Sequence, residues 1–288
     1  IVHRLRGRQR SRPREQIVAE VLALRAQGCH EVVLTGVHVG AYGRERGESL
    51  EGLVRRLLDA LGPPEPRPGF RLRLSSIEPW DLSPAFFALW KDPRLCRHLH
   101  LPLQSGCDAT LARMNRQYGT AQYAAWVDQA RAAIPGLAVT TDVIAGLPGE
   151  TPDEHADSAA FCERMGFARM HVFSYSERPG TPAAEMPDQV PLPERRARAE
   201  QLKAIGRESA EAFRRQFLGQ TLSTVVEKRR ARAAGVEGWW TGLTDHYLRV
   251  YLESPQALGN TVCAVRLEEL LAGGVRGALV EHGREFTY

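Results

Sequence analysis

The chain has 288 residues, 25% of them charged, and a formal net charge of +4 at neutral pH. That length admits one barrel-sized α/β domain and a smaller companion, and an apolar content of 43% is ample for both cores. No apolar run approaches the about 18 residues needed to span a bilayer, and the basic start lacks an apolar leader. A soluble, cytoplasmic protein that engages no membrane is therefore expected.

The start is basic: Arg4, Arg6, Arg8, Arg10, Arg12 and Arg14 lie in a stretch that holds no acid. Such a run is either a solvated charge patch or a phosphate-contacting surface, because neutralising a nucleic-acid backbone gives affinity without sequence. From Arg14 to Gln27, Ile17, Val18, Val21, Leu22 and Leu24 have helical spacing that ends at Gly28. A strand from Val32 follows and leaves through LTGVHVGAYG, whose glycines let the backbone approach a ligand or merely turn. A helix over Ser49 to Leu61 stops at Gly62-Pro63-Pro64. The next strand, from Arg71, ends in Ser75, Ser76 and Glu78. A carboxylate at that exit can accept from ribose hydroxyls or an amine, or pair with Arg73.

A helix over Pro84 to Lys91 precedes the strand of HLHLPLQSG, where Gln104 and Ser105 mark the exit and Gly106 permits a tight turn. Helices over Ala109 to Met114 and Ala121 to Ile134 lead to the strand from Ala138. Its exit is Gly146-Leu147-Pro148-Gly149, and a helix over Pro152 to Met165 follows. The strand from Met170 ends in SYSERPGT, and a long helix is expected over Pro193 to Phe217. One order, strand then polar exit then helix, is thus used five times. It predicts parallel strands whose C-terminal ends share one side, the side on which barrel and open α/β folds bind ligands.

After Gly219 the pattern changes to short alternating strands, TLSTVVEK, GWWTGLTDHYLRVYLE, NTVCAVRLEEL and VRGALVEHG, separated by Gly and Pro. These predict a small antiparallel β-barrel of about 70 residues. The boundary falls near Leu218, giving domains over 1–217 and 218–288. Lys228, Arg229, Arg230 and Arg232 form a second basic cluster, yet the module is balanced in charge, so any RNA-binding face there is local. Trp239 and Trp240 have the aromatic faces that stack on bases, although aromatics in a small β-barrel are usually core.

The five cysteines are scattered, and neither they nor the histidines show metal-ligand spacing, so no metal site is expected from them. No Ser-His-Asp or paired-carboxylate arrangement is legible. Three lysines against 35 arginines carry no functional weight.

Taken together, RLSSIEP, HLPLQSG with Met114-Asn115-Arg116 and Tyr118, DVIAGLPGET and FSYSERPGT resemble the successive strand motifs of the radical S-adenosylmethionine (SAM) methylthiotransferase family. IVHRLRGRQRSRP is similar to the segment that follows that family's cluster loop, and the tail is similar to its TRAM domain. The resemblance implies a partial TIM-type (β/α) radical SAM barrel lacking its first strand, followed by a TRAM-like β-barrel. It also implies SAM, reduced by a 4Fe-4S cluster to a 5′-deoxyadenosyl radical, an auxiliary cluster that supplies sulfur, tRNA as partner, and an electron donor such as flavodoxin or ferredoxin.

By motif, Thr35 and Gly36 are expected near the methionine amine, and Ser76, Glu78 and Gln104 near the methionine or ribose. Asp142, Val143 and Gly146 are expected near ribose and adenine, and Arg178 near a carboxylate. Arg6, Arg8, Arg10 and Arg12, with Lys228, Arg229, Arg230 and Arg232, are the candidate RNA contacts. VLTGVHVGAYG is most similar to the tRNA enzymes that act at C2 of N6-threonylcarbamoyladenosine next to the anticodon. The alternatives are the relatives that modify isopentenyladenosine in tRNA or a ribosomal-protein aspartate, and a non-catalytic RNA-binding remnant. The family's three cluster cysteines fall immediately before Ile1 in this comparison, so the chain alone is expected to lack radical chemistry.

Overall fold

In the computed structural model, which describes residues 10–65, 69–229, 232–233, 236–237 and 239–280, five short parallel strands alternate with helices ahead of a closed ring of five further strands. Helix α1 (Arg14–Ala26) begins at Pro13, whose carbonyl accepts from the N–H groups of Gln16 and Ile17. It delivers the chain into β1 (Glu31–Leu34), which pairs in parallel with β2 (Arg71–Leu74). Between them lies α2 (Leu50–Ala60), capped by Ser49 Oγ, which accepts from the Gly52 N–H. Leu50, Leu53, Val54, Leu57 and Leu58 recur at helical spacing and are all buried. Each such side chain stabilises the fold by about 1.5–3 kcal/mol, which is why this segment is helix on this face.

Isolated parallel bridges, Leu72 to Leu95 and Ser76 to His100, link β2 to β3 (His98–His100). The predicted helix over Pro84 to Lys91 divides into α3 (Pro84–Phe87) and a tighter 3-10 turn over Ala88–Lys91. Beyond β3, α4 (Asp108–Arg113) and α5 (Thr120–Ala133) lead to β4 (Ala138–Ala145). A capping box of Thr151 and Glu154 starts α6 (Pro152–Met165), and left-handed Gly166 ends it. Then come β5 (Arg169–Ser174), a single turn α7 (Pro182–Glu185) and the long α8 (Leu192–Arg215). Strands β3, β4 and β5 pair in parallel, so all five exits point one way.

The second unit is a ring of β6 (Thr221–Arg229), β7 (Trp240–Thr244), β8 (Arg249–Leu252), β9 (Thr261–Leu271) and β10 (Gly274–Leu279), ordered β8-β10-β9-β6-β7. The segment GWWTGLTDHYLRVYLE, expected as one strand, is two, broken by a turn in which Tyr247 takes a φ of +62°. An odd number of strands cannot alternate direction all the way round a closed ring, and β8 runs parallel to β10. The antiparallel expectation holds for the other four ladders. Phe213 and Phe217, from the end of α8 and just beyond it, join Leu222, Val250 and Val265 in the ring's core. Trp239 is buried, and Trp240, at the start of β7, packs against the ring's core and donates to the Ser254 carbonyl.

The two units meet through buried charge. Arg71 and Arg73, each 3% exposed, share the Glu31 carboxylate. Arg71 also donates to the carbonyls of Ser223 (3.1 Å) and Leu243 (2.7 Å), and Arg73 to those of Thr244 (3.0 Å) and Asp245 (3.1 Å). Burial acts to raise the Glu31 pKa, but the two guanidiniums outweigh it and hold the carboxyl below its ordinary range. The His98 and Tyr247 rings stack at 4.2 Å across the same join.

Candidate functional site

The strand exits were the predicted site, and each can be followed from its strand. Leaving β1, Thr35 and Gly36 line a cavity of about 850 Å³ together with His38, Val39 and Glu78. Asp81, in the turn after Glu78, binds His38 Nε2 at 2.8 Å and also engages Arg44. A Cβ on Gly40 would fall 2.0 Å from Asp81 Oδ2, so only glycine admits that carboxylate.

At the exit of β2, Ser76 bridges to His100 and Glu78 is half-buried. The suggested pairing of Glu78 with Arg73 is not formed, because Arg73 is committed to Glu31 and to the ring at the join. Glu78 Oε2 is buried without a hydrogen-bond partner, and burial of the carboxyl, only partly offset by Arg116 and His38, raises its pKa.

Gln104 extends the sheet beyond β3: its N–H donates to the Asp142 carbonyl at 2.8 Å and its own carbonyl accepts from Ile144 at 2.9 Å. It does so with a φ of +72°, a left-handed conformation uncommon outside glycine and frequent where a side chain must be aimed at a site. Gly106 is needed for a different reason than the tight turn expected. A Cβ there would lie 2.7 Å from the Ser158 carbonyl, so the glycine lets the chain press against α6.

On β4 the Asp142 carboxylate lies between two imidazoles, with His100 Nε2 3.4 Å from Oδ2 and His171 Nδ1 3.3 Å from Oδ1. Burial works to raise its pKa, yet the two histidines prevail and hold it well below the ordinary 3.8. Val143 is the next residue, and the pleat turns it into the core with no exposed surface. Its side chain is therefore packing, and only its main chain, beside Gln104, faces the expected site.

Gly146 takes a φ of +76° and donates its N–H to Glu150 Oε1 at 3.1 Å, while a Cβ would meet Arg195 Cγ at 2.6 Å. Glu150 is itself held by Arg198 at 2.8 Å. At the end of β5, Ser174 Oγ and, one residue beyond it, Tyr175 OH are buried without partners, and Arg195 lies 5.1 Å from the Tyr175 ring. Arg178 is exposed in the segment that follows, where its carbonyl accepts from Thr181.

The structure thus gathers Thr35, Gly36 and Glu78 round one cavity and links Ser76, Gln104 and Asp142 through His100 and the sheet. His100, His171, Ser75, Ser174 and Tyr175 were not anticipated as site residues. The alternation of His98 with His100 and of His171 with Tyr175 along their strands was the available signal. Among the candidate RNA contacts, Arg10 and Lys228 are exposed and Arg12 pairs with Glu20 at 2.5 Å. Arg6, Arg8, Arg230 and the side chains of Arg229 and Arg232 lie outside the described residues.

A row of parallel strands whose polar exits face one side, with helices between them, defines a partial α/β barrel, the kind of fold that binds ligands at those exits. A sequence model described as Radical SAM superfamily matches residues 1–162, and the chain belongs to that superfamily. It is 33% identical over 263 residues to the threonylcarbamoyladenosine tRNA methylthiotransferase MtaB of Bacillus subtilis, covering 91% of this chain and 57% of that one. It is 36% identical over 275 residues to MtaB of Thermotoga maritima, covering 93% and 59%. Against the tRNA-2-methylthio-N(6)-dimethylallyladenosine synthase of Geobacter sulfurreducens it is 38% identical over 283 residues, covering 97% and 61%. The chain therefore spans about three fifths of the length of these relatives. Among solved structures, coproporphyrinogen III oxidase (HemN) from Escherichia coli aligns over 80% of this chain and 59% of its own, with a TM-score of 0.50 and 13% identity. That likeness concerns the fold alone.

The superfamily implies SAM and an iron–sulfur cluster, and the described residues fit the two differently. The unpartnered Glu78 carboxylate, the buried Ser75, Ser174 and Tyr175 hydroxyls and the cavity beside Thr35 and Gly36 offer acceptors and donors for an amine, ribose hydroxyls and a base. For a cluster they do not serve. No group of three or more His, Cys, Asp or Glu among the described residues stands in a metal-holding arrangement, and burial pushes the Cys96 and Cys162 thiols up to about 12, away from the thiolate a metal needs.

Proposed function

We propose that the chain is the SAM-binding and RNA-binding portion of a tRNA methylthiotransferase that acts at C2 of N6-threonylcarbamoyladenosine next to the anticodon. The observation that carries the reading is the row of strand exits, with Glu78 Oε2 buried and unpartnered beside the cavity of Thr35 and Gly36. Its likeness to curated tRNA methylthiotransferases over more than nine tenths of the chain supplies the reaction class. When bound, SAM supplies the methyl group and, on one-electron reduction, the power to take a hydrogen atom. In this reading Thr35 and Gly36 receive the methionine amine and Glu78 accepts from it or from the ribose. Ser76 and Gln104 flank the ribose, and Asp142 and Gly146 border the adenosine.

Residues 1–217 form the SAM-binding unit and 218–288 the RNA-binding one. The cluster ligands come from sequence outside these 288 residues, so the isolated chain binds SAM and RNA without turnover. The partners are tRNA and a low-potential electron donor such as flavodoxin or ferredoxin, which places the reaction in the cytoplasm. No helix among the described residues is long and apolar enough to cross a membrane. Relatives acting on dimethylallyladenosine match as well as the others do, so the choice of nucleoside rests on VLTGVHVGAYG.

Nucleoside mass spectrometry of tRNA from cells with and without the gene tests the reading. Loss of the 2-methylthio form of threonylcarbamoyladenosine on deletion is the expected result. Loss of the isopentenyladenosine form instead would move the substrate, and no change in either would leave a non-catalytic RNA-binding protein.

A further inference from the structure

A second cavity, of about 1050 Å³, opens between α8 and the C-terminal ring. Thr140 and Arg169, from the early parts of β4 and β5, place it toward the opposite end of the partial barrel from Glu78 and Tyr175. Its walls carry Arg169, Lys203, Arg207, Arg214 and Arg249 against one carboxylate, Glu211. Glu211 is already engaged by Arg215 at 2.8 Å, Lys203 pairs with Glu200 at 2.9 Å, and Arg249 pairs with Glu227. Arg169, Arg207 and Arg214 are left with no ion-pair partner among the described residues. Arg214 is half-buried, and its Nε has no hydrogen-bond partner.

Cations gathered on a concave wall repel one another until an anion shares the space, and the low-dielectric walls focus their field. Lys203, Arg207 and Arg214 lie along one face of α8, a stripe about 16 Å long at the helical rise. A stripe of that length exceeds a single phosphate and suits a linear polyanion. Tyr251 lines the same cavity, and cations beside an aromatic face suit a nucleic-acid strand better than an acidic protein surface.

We infer that this cleft takes the phosphodiester backbone of an RNA strand, with Arg169, Arg207 and Arg214 as its contacts, so that tRNA is gripped at a point remote from the strand exits. The inference rests on the tRNA reading above and names residues that the basic clusters of the sequence did not.

The test is fluorescence anisotropy of a labelled tRNA transcript against the full chain, at several salt concentrations. A variant carrying Arg169→Gln, Arg207→Gln and Arg214→Gln is expected to bind at least about tenfold more weakly, and the slope of log affinity against log salt falls by about 2. The three Arg→Lys changes restore most of both. Should the triple variant lose melting temperature, Arg169→Gln with Arg207→Gln, both exposed, still weakens binding and lowers the slope by about 1.4. Unchanged affinity and slope in these variants overturn the cleft and leave the tRNA reading to other surfaces. Failure of the unaltered chain to bind tRNA overturns both. Displacement of tRNA by poly-glutamate as efficient as by unlabelled tRNA would make the cleft a dock for an acidic protein and refute the RNA assignment.

Discussion

The Arg73 guanidinium lies 5.2 Å from the centre of the Tyr247 ring, and the same group donates to the Thr244 and Asp245 carbonyls in the turn that carries that ring. One side chain of the partial barrel thus organises a loop of the C-terminal ring. Arg73→Met leaves the Thr244 and Asp245 carbonyls without their guanidinium donor and the half-buried Glu31 with Arg71 alone. Removing one partner of such a network costs about 3–5 kcal/mol, read as a shift in the urea midpoint. A loss below about 1 kcal/mol would mean that water replaces the guanidinium and that the join is not held by it.

Glu78 should trade stability for binding. Burial raises its pKa, so the folded state holds that proton more tightly and stability falls as pH climbs from the ordinary 4.5 toward the raised value. Glu78→Gln is expected to melt higher than the parent at neutral pH and to bind SAM about tenfold or more weakly, the scale of one charge-assisted hydrogen bond. Melting curves and equilibrium dialysis with labelled SAM read the two effects separately. Unaltered SAM affinity would remove Glu78 from the ligand site.

Asp142 behaves in the opposite sense. Its pKa is depressed by His100 and His171 against the effect of burial, so its contribution is fully present above the ordinary 3.8 and is lost as pH falls from there toward the lower folded value. Asp142→Asn is expected to destabilise the protein at pH 6, with the gap to the parent closing in acid. A gap that stays constant down to the acid limit would show that the aspartate acts by shape and not by charge.

Gly146→Ala confronts both a left-handed φ and the Arg195 side chain, which a Cβ would approach to 2.6 Å. The expected cost is about 1–3 kcal/mol, accompanied by weaker SAM binding if the turn borders adenosine. The same substitution at Gly28, also left-handed but with open space around it, provides the comparison for backbone strain alone.

The five strand exits were readable because apolar runs ending in polar clusters report both direction and period. The helices were readable because α2 and α6 carry their caps and apolar stripes locally. Arg71 and Arg73 were not, since their carbonyl partners lie 152 to 172 residues away in sequence and nothing local marks them. They read as the alternating outer face of a strand, which is how Glu78 came to be offered Arg73 as a partner. The cleft beside α8 was hidden for the same reason: its cations come from β5, α8 and β8, and no run in the sequence collects them. Gly106 and the parallel closure of the ring depend on a neighbour's backbone and on strand count, neither of which a local window contains.

The buried arginines at the join also bear on how such proteins can be taken apart. A boundary drawn between α8 and β6 looks like a seam between interchangeable parts, yet cutting there strips Arg71 and Arg73 of carbonyls from Ser223, Leu243, Thr244 and Asp245 and withdraws Phe213 from the ring it helps to fill. A foreign ring grafted onto this half-barrel would have to present four acceptors in the same places. The unit that evolution or an engineer can exchange here is the pair, not either half.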